Sequence, residues 1–236
     1  MPFNTVFVTG TDTGVGKTLV SAALLHTLAR QHRRVVGMKP VAAGLIEHQG
    51  GWVSEDLLAL RAASTVAVPS ALDNPVALPD PVSPHLAAAR AGRPVDVAEL
   101  LAAYRHLQGL ADAVVVEGAG GWRVPLNAHE TLADLARAIG APVLLVVGLR
   151  LGCLNHALLS AEAIRADGLH LAGWVANTLD PAMLCRDENI DTLRQRLGAP
   201  LLGVVPWQPQ GPDARAVRLE LPSAWKHEKE GHELAE

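Results

Sequence analysis

The segment Gly10-Thr11-Asp12-Thr13-Gly14-Val15-Gly16-Lys17-Thr18 gathers the residue types that grip phosphate: glycines, a lysine and a hydroxyl. It directly follows the apolar run Val6-Phe7-Val8-Thr9 and opens the helical pattern Leu19-Val20-Ser21-Ala22-Ala23-Leu24-Leu25. A strand, a glycine-rich loop and a helix in that order let backbone N–H groups close around an anion. The helix N-terminus adds unpaired donors and a positive dipole end. Lys17 would reach the β- and γ-phosphates of a nucleotide, and the Thr18 hydroxyl would take a place on magnesium. The match to G-x-x-x-x-G-K-[ST] is imperfect: Thr11 stands where the first glycine belongs, and Gly10 lies one residue earlier.

Magnesium on a nucleotide takes one or two carboxylates besides phosphate oxygens. The run Ala113-Val114-Val115-Val116-Glu117-Gly118-Ala119-Gly120-Gly121 supplies one, since four apolar strand residues end in an acid and glycines then allow close approach. Glu117 falls at the carboxyl end of a strand, where open α/β sheets bind ligands. Asp56 is a second candidate, although an acid in the first turn of a helix is also favoured by the dipole alone. Lys39 closes the run Val35-Val36-Gly37-Met38, and Pro40 then stops the ladder. Of 20 Lys plus Arg, only Lys17, Lys39, Lys226 and Lys229 are lysine, so residues 1–225 hold two lysines and sixteen arginines. Arginine serves as well as lysine on a solvated surface, but not where a compact ammonium must touch phosphate. Asn177 and the pair Pro206 and Trp207 also follow apolar runs, and they could read a base edge or flank its ring. Five strand ends thus deliver functional groups to one edge of a sheet.

The elements that must position these groups alternate between short apolar runs and helical patterns, which is the sign of a parallel sheet built from βαβ units. Strands are expected at residues 5–9, 35–39, 113–116, 143–147, 171–176 and 201–205, several without alternation, as in strands covered on both faces. Helices are expected from Lys17 to about Gln31, after Ser54 and Asp96 as N-caps, and near 131–139, 155–166 and 188–197. Residues 66–84, with five prolines, read as an irregular excursion, either a linker or a loop lining the substrate. The domain is expected to span 1–225, with a polar, disordered tail at 226–236.

Composition narrows the class. A chain of 236 residues with net charge −4 suits one α/β domain and lacks the clustered basic patch of nucleic-acid or membrane-surface proteins. Cys153 and Cys185 are far apart and outside any C-x-x-C, which argues against a disulfide framework or structural zinc. The N-terminus shows no basic leader, and the apolar stretch 141–149 is far shorter than a membrane span, so a cytoplasmic protein is expected.

The ordered blocks 10–13, 16–18, 39–42, 83–85, 117–122, 147–156 and 171–177 resemble the dethiobiotin synthetase family, and they extend over almost the whole chain. The later blocks, such as Ser83-Pro84-His85 and Glu117-Gly118-Ala119-Gly120-Gly121-Trp122, are the distinctive ones. The resemblance implies a single-domain P-loop NTPase-type fold, a mostly parallel central sheet with helices on both faces. It implies a ligase acting on 7,8-diaminononanoate, CO2 and ATP through a carbamate and a carbamic-phosphoric anhydride, with Mg2+ as cofactor. Lys17 and Lys39 would be catalytic, and Thr18, Asp56 and Glu117 would hold the metal. ATP contacts would come from the loop (Thr13, Gly14, Val15, Gly16, Thr18, Leu19) and from Gly118, Ala119 and Gly120. Asn177, Thr178, Pro206 and Trp207 would complete that set. Ala43 and the turn Arg150, Gly152, Cys153, Leu154 and Asn155 would bind substrate, the turn coming from the second subunit of a homodimer. Three positions depart from the family pattern: Gly14 replaces an acid of some relatives, Ala43 a serine, and Arg150 a lysine.

A nucleotide-driven dimerisation switch of the partition-ATPase type shares such a fold. Those proteins carry a signature lysine five residues before the loop lysine, and here that position is Asp12. An amide-forming ligase of cobalamin precursor synthesis would normally carry an attached glutaminase domain, for which the chain is too short.

Overall fold

The computed structural model describes residues 5–222 and Trp225, so the expected polar tail at 226–236 lies outside the described residues. In chain order the elements are β1 (Thr5–Gly10), α1 (Lys17–Leu28), β2 (Val35–Met38), β3 (Val41–Ala43), β4 (Ile46–His48), β5 (Gly51–Val53) and α2 (Glu55–Ala63). There follow α3 (Ser70–Asp73), β6 (Val76–Leu78), α4 (Pro84–Ala91), α5 (Val97–Leu110), β7 (Ala113–Glu117) and α6 (Leu132–Ile139). The chain then runs through β8 (Val143–Leu149), α7 (Cys153–Ala166), β9 (Leu171–Thr178), α8 (Arg186–Arg196) and β10 (Leu201–Val205).

Six strands form one parallel sheet in the order β10-β9-β8-β1-β7-β2. Side chains alternate across each strand. Phe7, Val114, Val116 and Leu145 therefore face α5, α6 and α7 on one side, through Leu100, Leu107, Leu135 and Ile164. Val6, Val8, Val115 and Leu144 face α1 and α2 on the other, through Val20, Leu24, Leu28 and Leu60. Both faces are covered, which explains why the strands read as continuous apolar runs. Because all six strands are parallel, their carboxyl ends share one rim, as the sequence led us to expect.

The boundaries shift in ways that matter. β9 runs on through Asn177 and Thr178, keeping both buried, and α7 begins at Cys153, two residues early. α1 ends at Leu28, short of Gln31. Asp96 caps α5 by accepting the Ala98 N–H, whereas Ser54 occupies the cap position of α2 without a side-chain cap bond. Residues 66–84 are less irregular than expected, since they include α3, β6 and the start of α4. β6 pairs in parallel with β3 (Val41 opposite Val76, Ala43 opposite Leu78), so the segment is stitched to the chain leaving Lys39.

Gly148 near the end of β8 fixes how closely the phosphate loop can settle on the sheet. A methyl group placed there would come within 2.5 Å of Leu179 Cδ1 and 2.9 Å of Val15 Cγ1. Overpacking of this kind costs about 1–3 kcal/mol. Gly148→Ala is therefore expected to lower the melting temperature by several degrees and to weaken ADP binding in calorimetry. Wild-type values for both would mean that the loop has slack at Val15.

Candidate active site

The carboxyl ends of β1, β2 and β7 and the first turns of α1 and α2 surround a cavity of about 640 Å³. Thr13, Gly14, Gly16, Lys17 and Thr18 line one side of it, and Lys39, Asp56 and Glu117 the floor. Ala43, Ala119, Gly120 and the stretch 81–84 complete the wall. The end of the proline-rich segment, residues 81–84, thus lines the cavity, in keeping with one of the two readings its composition left open.

The loop conformation depends on glycine where the sequence places it. Gly14 and Gly16 take φ of 72° and 90°, in the left-handed region. Gly16 also lies directly against the Asn177 amide, so a Cβ there has no room. Asn177 Nδ2 donates to Val15 O at 2.9 Å, which ties the loop to the end of β9. Thr11 N–H donates to Val146 O at 3.0 Å. Asp12 accepts the Thr13 N–H at 2.7 Å and pairs with Arg150. The Thr13 backbone donor, with Arg150 adding to it, holds the Asp12 carboxyl below the usual carboxylate range.

Four charged groups and a hydroxyl meet at the floor. The Lys39 ammonium stands 2.7 Å from Glu117 Oε1 and 2.7 Å from Asp56 Oδ2, and it donates to Gly118 O at 3.2 Å. Thr18 Oγ1 is 2.7 Å from Asp56 Oδ1 and 2.9 Å from Glu117 Oε1, so its single proton is shared between two carboxylates. Lys17 is buried, and its ammonium donates to Asp12 O at 3.0 Å. Burial, reinforced by the charge of Lys39, lowers the Lys17 pKa to about 8 against the pull of Glu117 and Asp56. For Lys39, burial works in the same direction, but Glu117 and Asp56 outweigh it and the pKa is raised. Burial raises the Asp56 pKa, yet Lys39 and the Thr18 hydroxyl leave it below its ordinary value.

Glu117 is fully buried and its Oε2 has no hydrogen-bond partner. A desolvated carboxylate oxygen without a partner, beside a hydroxyl and a second carboxylate, suits a hard divalent cation. Among the described residues no group of three His, Cys, Asp or Glu could hold a metal. An ion here would draw on two carboxylates, Thr18 and ligand oxygens, which is a magnesium-like set.

The other expected residues fall less tightly together. Thr178 ends β9, buried, with its hydroxyl unpartnered. Leu19 is partly buried and packs on the α1–α2 side of the core. Pro206 and Trp207 leave β10 exposed, and neither they nor Asn177 line the cavity. Asn177 donates one of its two amide N–H groups to the loop carbonyl of Val15. Arg150, Gly152, Cys153, Leu154 and Asn155 do not reach the cavity of their own chain, since β8 carries them past β1 on the side away from β2. Cys153 is buried at the start of α7, Asn155 is exposed, and Leu151 between Arg150 and Gly152 is 99% exposed. Trp122, which closes the 117–122 block, packs edge-on to Phe7 (centroids 6.1 Å apart) and donates to Asp167 Oδ2 at 2.7 Å, anchoring the glycine run. Sequence reasoning missed Asp73 and Asn74, which hold the Lys39 backbone. Their only signal was an Asp-Asn-Pro string within the proline-rich segment.

Comparison with known proteins agrees with this geometry. A family model described as "AAA domain" matches residues 4–214. The chain is 54% identical over 217 residues to the ATP-dependent dethiobiotin synthetase of Aromatoleum aromaticum, covering 92% of this chain and 96% of that protein. Among solved structures it is similar to the cell division protein FtsY of Thermotoga maritima (TM-score 0.55, 16% identity, 95% of this chain and 67% of that one). It is also similar to the septum site-determining protein MinD of Pyrococcus horikoshii, solved with Mg-ADP (TM-score 0.52, 20% identity, 89% and 83%). At such identities these structures speak for the fold alone.

Removing the Asn177 side chain leaves the buried Val15 carbonyl unpaired, at a cost of about 1–3 kcal/mol. Asn177→Ala is expected to weaken ADP binding roughly five- to 150-fold by calorimetry while the far-UV spectrum is unchanged. Unaltered ADP affinity would show that the loop holds its shape without this brace.

Proposed function

The chain belongs to the dethiobiotin synthetase family, and we propose that it closes 7,8-diaminononanoate and CO2 into the cyclic urea of dethiobiotin, for biotin synthesis. ATP would be consumed and ADP and phosphate released, with Mg2+ as cofactor. The observation that carries the reading is the meeting of Lys17, Lys39, Thr18, Asp56 and Glu117 in one cavity, in a chain 54% identical to a protein of that name.

In this reading one amine of the substrate adds to CO2 and loses a proton, giving a carbamate. A carbamate oxygen attacks the γ-phosphorus and ADP leaves. The second amine then attacks the carbamoyl carbon of the mixed anhydride, phosphate departs, and the ring closes. Phosphoryl transfer of this kind asks the protein for in-line placement and charge neutralisation rather than covalent help. Lys17 and the loop N–H groups from Thr13 to Leu19 would neutralise the β- and γ-phosphates, with Gly118, Ala119 and Gly120 closing the far side. Lys39 would stand between carbamate and γ-phosphate as a point charge shared by two anions. Bound magnesium, held by Thr18, Asp56 and Glu117, would neutralise charge on the phosphate oxygens.

The turn Arg150, Gly152, Cys153, Leu154 and Asn155 would complete the site of a second copy and take the substrate carboxylate there. The exposure of Arg150, Leu151, Gly152 and Asn155, none of which lines the cavity of its own chain, supports a homodimer. Pro206, Trp207 and Thr178 would frame the base. A cytoplasmic location goes with this reading; no helix among the described residues is long and apolar enough to cross a membrane.

Phosphate release from ATP is expected only when both the diamine and bicarbonate are supplied. Equal release without the diamine would turn the reading toward a nucleotide switch. Separately, Lys39→Arg replaces a compact ammonium by a planar fork. It is expected to lower kcat roughly 100-fold or more while ATP affinity stays within about twofold. Near-normal turnover would mean that Lys39 does not bridge carbamate and γ-phosphate.

A further inference from the structure

Lys39 sits just beyond β2, the edge strand of the sheet, so the ladder gives its backbone no partner. Two residues of the proline-rich segment supply them instead. Lys39 N–H donates to Asp73 O at 2.7 Å, and Asn74 Nδ2 donates to Lys39 O at 2.7 Å and to Val76 O at 3.2 Å. Both residues are buried: Asp73 is 1% exposed and Asn74 8%. A buried amide is costly unless bonded, and this one donates to two backbone carbonyls.

The brace is locked from a third side. Arg61 of α2 grips the Asp73 carboxylate with two bonds of 2.7 Å, Nε to Oδ2 and Nη2 to Oδ1, and adds one of 2.8 Å to Ser70 Oγ. A planar bidentate grip fixes direction as well as distance. The same helix carries Asp56, whose carboxylate touches the Lys39 ammonium. α2 therefore sets both ends of this lysine: the ammonium through Asp56, and the main chain through Arg61 and Asp73. Beyond Pro40, the β3–β6 pairing holds the chain in the same register.

We propose that Asn74, with the Asp73–Arg61 pair, is a positioning residue that fixes the Lys39 backbone so that its ammonium stands between the Glu117 and Asp56 carboxylates and the cavity. A four-carbon stem gives Nζ a wide arc if its Cα is free. Held at N–H and C=O, the residue can transfer its ammonium from the carboxylates to an arriving anion by side-chain rotation alone. This inference rests on the role of Lys39 in the proposed function and adds what makes that role geometrically possible.

The scarcity of lysine makes the test direct. Lysine-selective 13C,15N labelling of the full chain gives at most four side-chain signals, and Lys39→Arg assigns the one of interest. Asn74→Asp keeps the shape and removes the donor. It is expected to shift or broaden the Lys39 ammonium signal, leave the Lys17 signal in place, and lower kcat roughly 10- to 100-fold with the KM values for ATP and the diamine within about twofold. Arg61→Gln should act in the same direction, with partial recovery in Arg61→Lys. An unmoved Lys39 signal in folded Asn74→Asp would overturn the proposal, as would equal displacement of Lys17, which marks general loosening. If Asn74→Asp does not fold, Arg61→Gln is read by the same criteria. Should Lys39→Arg turn over normally, the catalytic role of Lys39 fails. Should Lys39→Arg be inactive while Asn74→Asp leaves the spectrum unchanged, only the positioning role fails.

Discussion

The burial of Glu117 is the constraint on which the site depends. A carboxylate with no exposure cannot keep its charge unless cations and donors replace the water it has lost. Lys39 and Thr18 meet it at Oε1, at 2.7 and 2.9 Å, while Oε2 is left without a partner. One oxygen is satisfied and the other is poised for a cation. The two carboxylates Glu117 and Asp56 balance the two ammonium groups Lys17 and Lys39, so the four groups together carry no excess of charge. In the proposed reading, a tetra-anionic nucleotide entering this balanced cluster needs a divalent cation to offset its charge.

The same balance explains the neighbouring structure. Lys17 spends its ammonium on the Asp12 carbonyl, a weak partner that phosphate can displace. Lys39 instead holds two full charges, so it needs a stronger incentive to move, which two anions in the cavity would give. The loop is made ready from outside the cavity, by Asn177 at β9 and by the Thr11 bond to β8. Rigid supports around a charge cluster that can exchange partners give a site that is preorganised without being fixed in one ionic arrangement.

Much of this was legible in the chain, for identifiable reasons. Unbroken Val and Leu runs mark strands covered on both faces, and an acid or lysine ending such a run has one place to go, the shared rim. Lys39 and Glu117 follow from that rule, and Lys17 from the glycine loop that opens α1. Asp56 was less legible, because the dipole explains an acid in a first turn without any ligand. What the chain hid was long-range pairing. Nothing local in Asp73-Asn74 says that it will meet Lys39, thirty-odd positions earlier, and a composition rich in proline argued for irregularity where β6 pairs with β3. Asn177 was placed on the right rim, but its bond to the loop carbonyl of Val15 was not foreseen, since nothing local marks that long-range pairing.

The fold is shared with MinD and FtsY at 20% and 16% identity, so what separates a dethiobiotin synthetase must lie in what is added to it. Two additions stand out. At position 12, where partition ATPases carry their signature lysine, Asp12 pairs with Arg150 of the chain's own β8 exit. The charge at that corner is reversed and is satisfied within the chain. At the edge strand, Lys39, Ala43 and residues 81–84 build a wall of the cavity that a plain phosphate loop does not need. Hydrolysis requires room for a water. In the proposed reaction, joining two amines through one carbon requires room for a second substrate, and a cation set between it and the γ-phosphate. In that reading the sheet supplies the phosphate grip, and the excursion after β2 supplies the rest.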